Sequence, residues 1–372
     1  MYIFAAKMKE TILQTRYPDA ESSQTIGLLR WVLIALVVVI HTNLVADSGA
    51  ANLAYSELYR WLGNVVWLAN PLFYLISGYL FVASRDGFGW KVFVGKCRGR
   101  LKTWLIPYLL WNTIFLLFYG VVGLLYPSAL GVVPPLNEMT FTDVLRAYWS
   151  IHGDDLTSPP IDGPLWFLRD LMVVAAFTPL YFAIIRQHKA TIVLPLLIAS
   201  LPHQVWCESS MAYFMVGIWL NVWTPSLSEL LRKPVWRPLP VYIAASVALM
   251  LSHSWTEWTT APLTLIRNLF GMTAVARICH RVTLRHPDRD WRALAEPVFF
   301  VFALHSMFAR PLTKLSANWL VSHDAGCPLY LMIHLLNTAI ALGFSLLVYR
   351  LLKRVLPTVC AWLSGTPKTK TR

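Results

Sequence analysis

The sequence predicts an all-α integral membrane protein with about ten transmembrane helices, and three observations carry that prediction. The 372 residues are 56% hydrophobic and only 14% charged, with a mean hydropathy of +0.53. Charge-poor apolar runs near the roughly 20-residue length that spans a bilayer recur from end to end. Between them, Lys and Arg collect in alternate loops, as the positive-inside rule requires of a multi-pass chain.

In order, the runs occupy residues 28–46, 61–83, 104–126, 164–185, 190–206, 211–231, 239–256, 262–280, 294–312 and 328–349. The first follows a polar stretch of about 27 residues and is long enough to span, so it reads as a start-transfer helix and not a cleavable signal. The fifth is short and interrupted by Pro195 and Pro202. With the N-terminus cytoplasmic, the basic clusters Arg85 to Lys102, Arg232 to Arg237, Arg281 to Arg292 and Lys353 to Arg372 all fall inside. The chain then divides into a cytoplasmic segment, 1–27, a transmembrane domain, 28–352, and a cytoplasmic basic tail, 353–372, with both termini inside.

The net charge of +13 is therefore an orientation signal. Its basic residues are spread over separate short loops, so no nucleic-acid footprint is expected. Of the five cysteines, Cys207 and Cys327 fall in outer loops, where an oxidising compartment would let them pair, and the others show no metal-ligand spacing. No structural metal is expected, and His152-Gly-Asp154-Asp155 does not supply a full coordination shell. The long outer loop Pro127 to Gly163 combines Glu138, Asp143, Asp154, Asp155 and Asp162 with Tyr148 and Trp149, a mixture that suits a hydroxyl-rich ligand or, equally, a solvated lid.

Ionisable residues inside spans mark functional sites by default. Arg30 and His41 stand eleven residues apart on the first run, on one helical face and about 16 Å apart along the axis. At 1.5 Å per residue, His41 and His305 lie about 20 and 16 Å from the inner ends of their runs, and Arg169 and Asp170 about 8 Å from the outer end of theirs. These four residues are candidates to converge on one outward-facing polar cavity. A neutral histidine, with an unperturbed pKa of about 6.5, suits general base work on a hydroxyl. Arg30, near the basic loop Lys96, Arg98, Arg100 and Lys102, suits a phosphorylated cytoplasmic molecule. Together they fit acyl transfer from coenzyme A to an outward-facing hydroxyl.

The run from Arg30 through Trp-Val-Leu-Ile-Ala-Leu-Val-Val-Val-Ile to His41 resembles the first helix of the membrane acyltransferase-3 family, whose hallmark is an arginine followed eleven residues later by the catalytic histidine. Phe73-Tyr-Leu-Ile-Ser-Gly78, Pro107-Tyr108, Leu165-Trp-Phe-Leu168, Tyr213-Phe-Met-Val-Gly217 and Phe302-Ala-Leu-His305 are similar to later family positions in the same order. The resemblance covers nearly the whole chain. It implies an O-acetyltransferase of the bacterial inner membrane that uses acetyl-CoA as donor substrate, with no tightly bound cofactor. The implied acceptor is a hydroxyl of an exopolysaccharide, O-antigen or lipid-linked sugar on the outer side. His41 would be catalytic, Arg30, Arg98 and Arg100 would hold the donor, and Trp166, Arg169, Asp170 and His305 would serve the acceptor. Two positions depart from the family pattern. Gly27 stands where an acidic residue often precedes the arginine by three, and Arg98-Gly-Arg100-Leu-Lys102 replaces an Arg-x-x-Arg.

Plainer roles exist for each residue. His41 could satisfy a neighbouring carbonyl, Arg30 could snorkel to the inner face, and Trp166-Phe167 could belong to an interfacial aromatic belt. His305 could bridge helices, and Ser77-Gly78 reads as a helix-packing contact rather than a nucleophile. The rival function is a secondary transporter of a small polar or anionic solute, built on the same intramembrane charges and on the breaks at Asn70-Pro71 and Pro195. The sequence sets no oligomeric state.

Overall fold

The computed structural model describes residues 15–48, 52–85, 87–125, 138–151, 157–202, 207–224, 226–252 and 255–366, and every regular element among them is helical. The first run forms α1 (Ala20–His41), which starts eight residues earlier than the apolar pattern and ends at His41, so that Arg30 and His41 share one unbroken helix. The second is broken into α2 (Leu53–Val66) and α3 (Ala69–Val82). The basic helix α4 (Trp90–Arg100) passes through a π turn, Leu101–Leu105, into α5 (Ile106–Leu125). Then come α6 (Trp166–Ala176), α7 (Thr178–Ile185), α8 (Val193–Ala199), α9 (Glu208–Trp223), α10 (Leu239–Leu251), α11 (Glu257–Arg285), α12 (Val298–Ser322), α13 (Cys327–Val355) and α14 (Pro357–Leu363).

Each of the ten predicted runs contains helix among the described residues, but the helices differ in reach. Among the described residues five segments are long and apolar enough to cross a membrane: Ala20–His41, Leu53–Val82, Trp90–Gly123, Trp291–Ser322 and Cys327–Val355. A sixth results if Gly163–Ala176 and Thr178–Ile185, bent by 58°, make one span. The remaining runs fall short for physical reasons. Lys189–Ala199 and Leu239–Leu251 are too short, α9 has 16 residues, and α11 is long but carries Arg267 and Arg277. Length and apolarity thus establish five or six spans, against the ten that the sequence predicts.

The distribution of side chains on α13 shows what solvent surrounds these helices. Tyr330, His334, Asn337, Thr338, Ala341, Ser345 and Tyr349, at spacings of three and four, are buried. Leu335, Leu336, Ile340, Phe344, Leu347 and Leu351 are exposed. A soluble helix turns its apolar stripe inward. Here polar and small residues face protein and leucines face out, as in a helix bathed in lipid.

The chain forms two compact units that alternate along the sequence. The first comprises Met1–Val37, Glu57–Arg98 and Val173–Ala295. Its tightest packing is between α3 and α9. A Cβ on Gly78 would collide with the Phe214 carbonyl, and one on Gly217 with the Leu75 carbonyl, so the two backbones touch through glycine. That is the packing role expected of Ser77-Gly78. The second unit comprises Val38–Ser56, Gly99–Met172 and Glu296–Arg372. In it the Trp111 indole donates to the Leu363 carbonyl at 2.9 Å, and Phe300 lies between Trp111 and Tyr349. Cys97, Cys279, Cys327 and Cys360 are free thiols, so Cys327 is not joined to Cys207.

Candidate functional site

The second unit collects the chemistry around the end of α1. The rings of His41 and His305 meet edge to face, with centroids 4.9 Å apart and planes at 73°. His305 is wholly buried on α12, and its Nδ1 lies 3.1 Å from the Val301 carbonyl. A carbonyl only accepts, so Nδ1 carries a proton and Nε2 is the available nitrogen. That Nε2 is buried and has no hydrogen-bond partner among the described residues. His41 is only partly buried, at the last position of its helix.

A hydrogen-bond network that sequence reasoning did not find fixes where α1 ends. His334, fully buried on α13, donates from Nε2 to the Val39 carbonyl at 3.0 Å, and its Nδ1 takes the Tyr55 hydroxyl at 3.0 Å. The same hydroxyl accepts the Leu44 amide at 3.2 Å, and Thr42 pairs with Thr338 at 2.7 Å. His41 therefore sits between backbone positions that are tied to α13 on both sides. Each such bond contributes roughly 0.5–1.5 kcal/mol. The available sequence signal was an ionisable residue inside the tenth run, the same signal that singled out His305.

An aromatic row leads to the histidines. Trp166, half-buried, meets Phe167 edge-on at 6.2 Å; Phe167 meets Phe302 at 6.0 Å, and Phe302 lies 6.4 Å from His305. Arg169 and Asp170 occupy the next turn of α6, both buried and paired at 2.9 Å. The Arg169 Nη1 donates to the carbonyls of Trp149 and Ser158 at 2.6 and 2.7 Å, and its guanidinium lies 5.3 Å from the Trp149 ring centroid. Its observed bonds fasten the segments 138–151 and 157–163 to α6. Asp162, at the end of the second segment, is wholly buried; its Oδ1 accepts from Ser306, next to His305, while its Oδ2 has no partner among the described residues. Burial pushes that carboxyl well above the ordinary carboxylate range. Residues His152, Asp154 and Asp155 lie outside the described residues.

The donor-side candidates are spread along the chain. Arg30 is half-buried on α1, in the first unit, without a hydrogen bond or ion pair among the described residues. Arg98 is exposed near the end of α4, in the first unit. Arg100, in the second unit, lies over the Trp104 ring at 4.5 Å where the helix enters its π turn. Gly27 explains one departure from the family pattern. A Cβ there would lie 2.6 Å from the Trp291 carbonyl oxygen and 2.7 Å from the Arg292 Cα, so the position has no room for an acidic side chain. No cluster of three or more metal-ligating side chains occurs among the described residues.

A family described as an acyltransferase domain matches residues 24–350. The succinoglycan biosynthesis protein ExoH of Rhizobium meliloti (strain 1021) is 25% identical over 369 residues, covering 94% of this chain and 93% of its own length. No solved structure matches the chain. With the match spanning both histidines and the arginine three turns before the first of them, the chain belongs to the membrane acyltransferase-3 family and is an acyltransferase.

Proposed function

We propose that the protein moves an acetyl group from cytoplasmic acetyl-CoA to a hydroxyl of an exopolysaccharide, O-antigen or lipid-linked sugar at the outer face of the bacterial inner membrane. The observation that carries this reading is the contact of His41 with His305 at the end of the helix that also bears Arg30. In the same reading the chain crosses ten times, with both termini cytoplasmic, and the short and charged helices complete the remaining spans. A relative named for succinoglycan biosynthesis supports a polysaccharide acceptor.

The chemistry follows from the residues. His41 takes the proton of the acceptor hydroxyl as its oxygen attacks the thioester carbonyl. The tetrahedral adduct collapses, the C–S bond breaks, and the thiolate of coenzyme A leaves and receives the proton held by His41. His305, its ring fixed through Nδ1, offers Nε2 to orient the acceptor or His41. Arg30, with Arg98 and Arg100, neutralises the donor phosphates. Trp166 supplies an apolar face for the sugar, and Arg169 with Asp170 keeps the outer segments in place over it. The test uses membrane vesicles supplied with labelled acetyl-CoA on the cytoplasmic side. Label recovered as an ester on glycan, dependent on coenzyme A, is the expected result; uptake of a solute without ester formation would return the transporter reading.

A further inference from the structure

In the first unit, a cleft of about 260 Å³ opens beside α2, α10 and α11, and two arginines line it, Arg60 and Arg267. Arg267 lies ten residues into α11, about 15 Å from its start. Its Nε and Nη2 donate to one neutral acceptor, the Asn268 Oδ1, at 3.1 and 2.8 Å. Asn268 is buried and donates in turn to the Tyr213 hydroxyl at 2.8 Å, so the guanidinium is held in place by an amide that cannot offset its charge. No carboxylate pairs with Arg267 among the described residues. Arg60 donates to the Met250 carbonyl at 2.8 Å and pairs with Glu57 at 3.4 Å. The positive charge left over in the cleft is therefore that of Arg267.

An arginine inside a membrane helix calls for a named partner. Two guanidinium groups in one cleft match the forked oxygens of phosphate. The rest of the wall is mixed: Asn64, Ser252 and Thr264 offer hydrogen bonds, while Leu249, Met250 and the half-exposed Trp67 are apolar. Leu249 and Met250 belong to the last turn of α10, and Ser252 caps it. Ile243, Val247 and Leu251, at spacings of four on that helix, are exposed and run to the same turn. An exposed apolar stripe of this kind is a surface for acyl chains, as on α13. The occupant that meets all three features has a phosphate for the guanidinium groups, hydroxyls for the polar wall and acyl chains for the stripe. Basic pockets between membrane helices hold anionic headgroups on the same terms. We infer that the cleft is a fixed site for one anionic phospholipid of the phosphatidylglycerol type, its phosphate on Arg267 and Arg60. Its headgroup hydroxyls meet Asn64, Ser252 and Thr264. A zwitterionic headgroup would bring a further cation beside Arg267. The cleft holds none of the acceptor-side residues, since His41, Trp166 and His305 all belong to the second unit, and the phospholipid is a bound ligand and not a substrate.

The test titrates the purified, delipidated full-length protein in detergent with short-chain phosphatidylglycerol. The comparators are phosphatidylcholine and diacylglycerol of the same chain length, and inorganic phosphate. Phosphatidylglycerol is expected to bind more tightly than either lipid comparator and to stay bound against equimolar inorganic phosphate. Arg267→Gln should weaken it at least about tenfold, the loss of one charge-assisted contact, with Arg267→Lys intermediate and an unchanged gel-filtration profile. Arg60→Gln is expected to weaken it less, since that guanidinium already has a partner. Arg285→Gln, which removes the same charge from the exposed end of α11, should leave the affinity unchanged. Equal binding of diacylglycerol would make the contact apolar only, equal binding of phosphatidylcholine would take net charge out of the recognition, and displacement by inorganic phosphate would make the cleft a soluble-anion site. Each of these overturns the inference, as does unchanged affinity in Arg267→Gln or an equal loss in Arg285→Gln. If Arg267→Gln does not fold, the headgroup comparison on the native chain decides. None of these readouts involves acyl transfer, so the outcome is independent of the proposed reaction.

Discussion

Arg169 and Arg267 are both arginines in apolar helices, and they differ in what surrounds them. Arg169 is buried against Asp170 and two backbone carbonyls, so its charge and geometry serve the protein itself. Arg267 meets one neutral amide and faces a cleft. The same contrast separates two buried histidines. His334 uses both ring nitrogens to hold the end of α1, whereas His305 keeps Nε2 unpartnered beside His41. Polar groups that are satisfied by the fold build it; those left unsatisfied are where a ligand is needed to complete the hydrogen bonding.

The largest expected effect is on the satisfied side. Arg169→Gln strands the Asp170 carboxylate, and breaking such a buried pair costs about 3–5 kcal/mol. The variant should show a sharply lower thermal midpoint in detergent, and Arg169→Gln with Asp170→Asn should recover part of the loss. A midpoint equal to the native one would break the comparison. Next in size, His334→Ala removes two hydrogen bonds and should cost roughly 1–3 kcal/mol. His305→Gln should keep the native midpoint while transfer falls by about 10²-fold or more, the range for a general acid–base or positioning group. If both variants lose stability equally, the distinction between the histidines fails.

A smaller effect is expected at Asp162. Its carboxyl is raised by burial, so ionisation opposes folding, and that part of stability is present at low pH and lost as pH rises through the folded-state value. Asp162→Asn removes the titration. The midpoint of the variant should gain on the native one as pH increases, and a difference that is flat with pH would remove the carboxyl from this account.

Much of this was legible in sequence because helix geometry is periodic. The spacing from Arg30 to His41 needs only the rise of an α-helix, and hydropathy suffices for the solvent that surrounds α13. Span counting fared less well because α11 carries arginines within it and α8 and α10 are short. Long-range polar pairing was not legible. Tyr55 and His334 are 279 residues apart, and Ser306 and Asp162 are 144 apart, with no local pattern to announce either bond. Arg169 illustrates the limit: its place in an apolar run was readable, but its bonds to the backbone carbonyls of Trp149 and Ser158 are not revealed by residue identity. Gly27 is the reverse case, an apparent defect in a motif that close backbone packing against Trp291 and Arg292 accounts for.

The central claim is that His41 removes the proton from the acceptor hydroxyl. Its most direct test is transfer of label from acetyl-CoA into extracytoplasmic glycan by membranes holding the native chain or His41→Ala at matched protein levels. The account predicts that glycan labelling disappears in the variant while the folded protein remains; labelling at the native rate would contradict it.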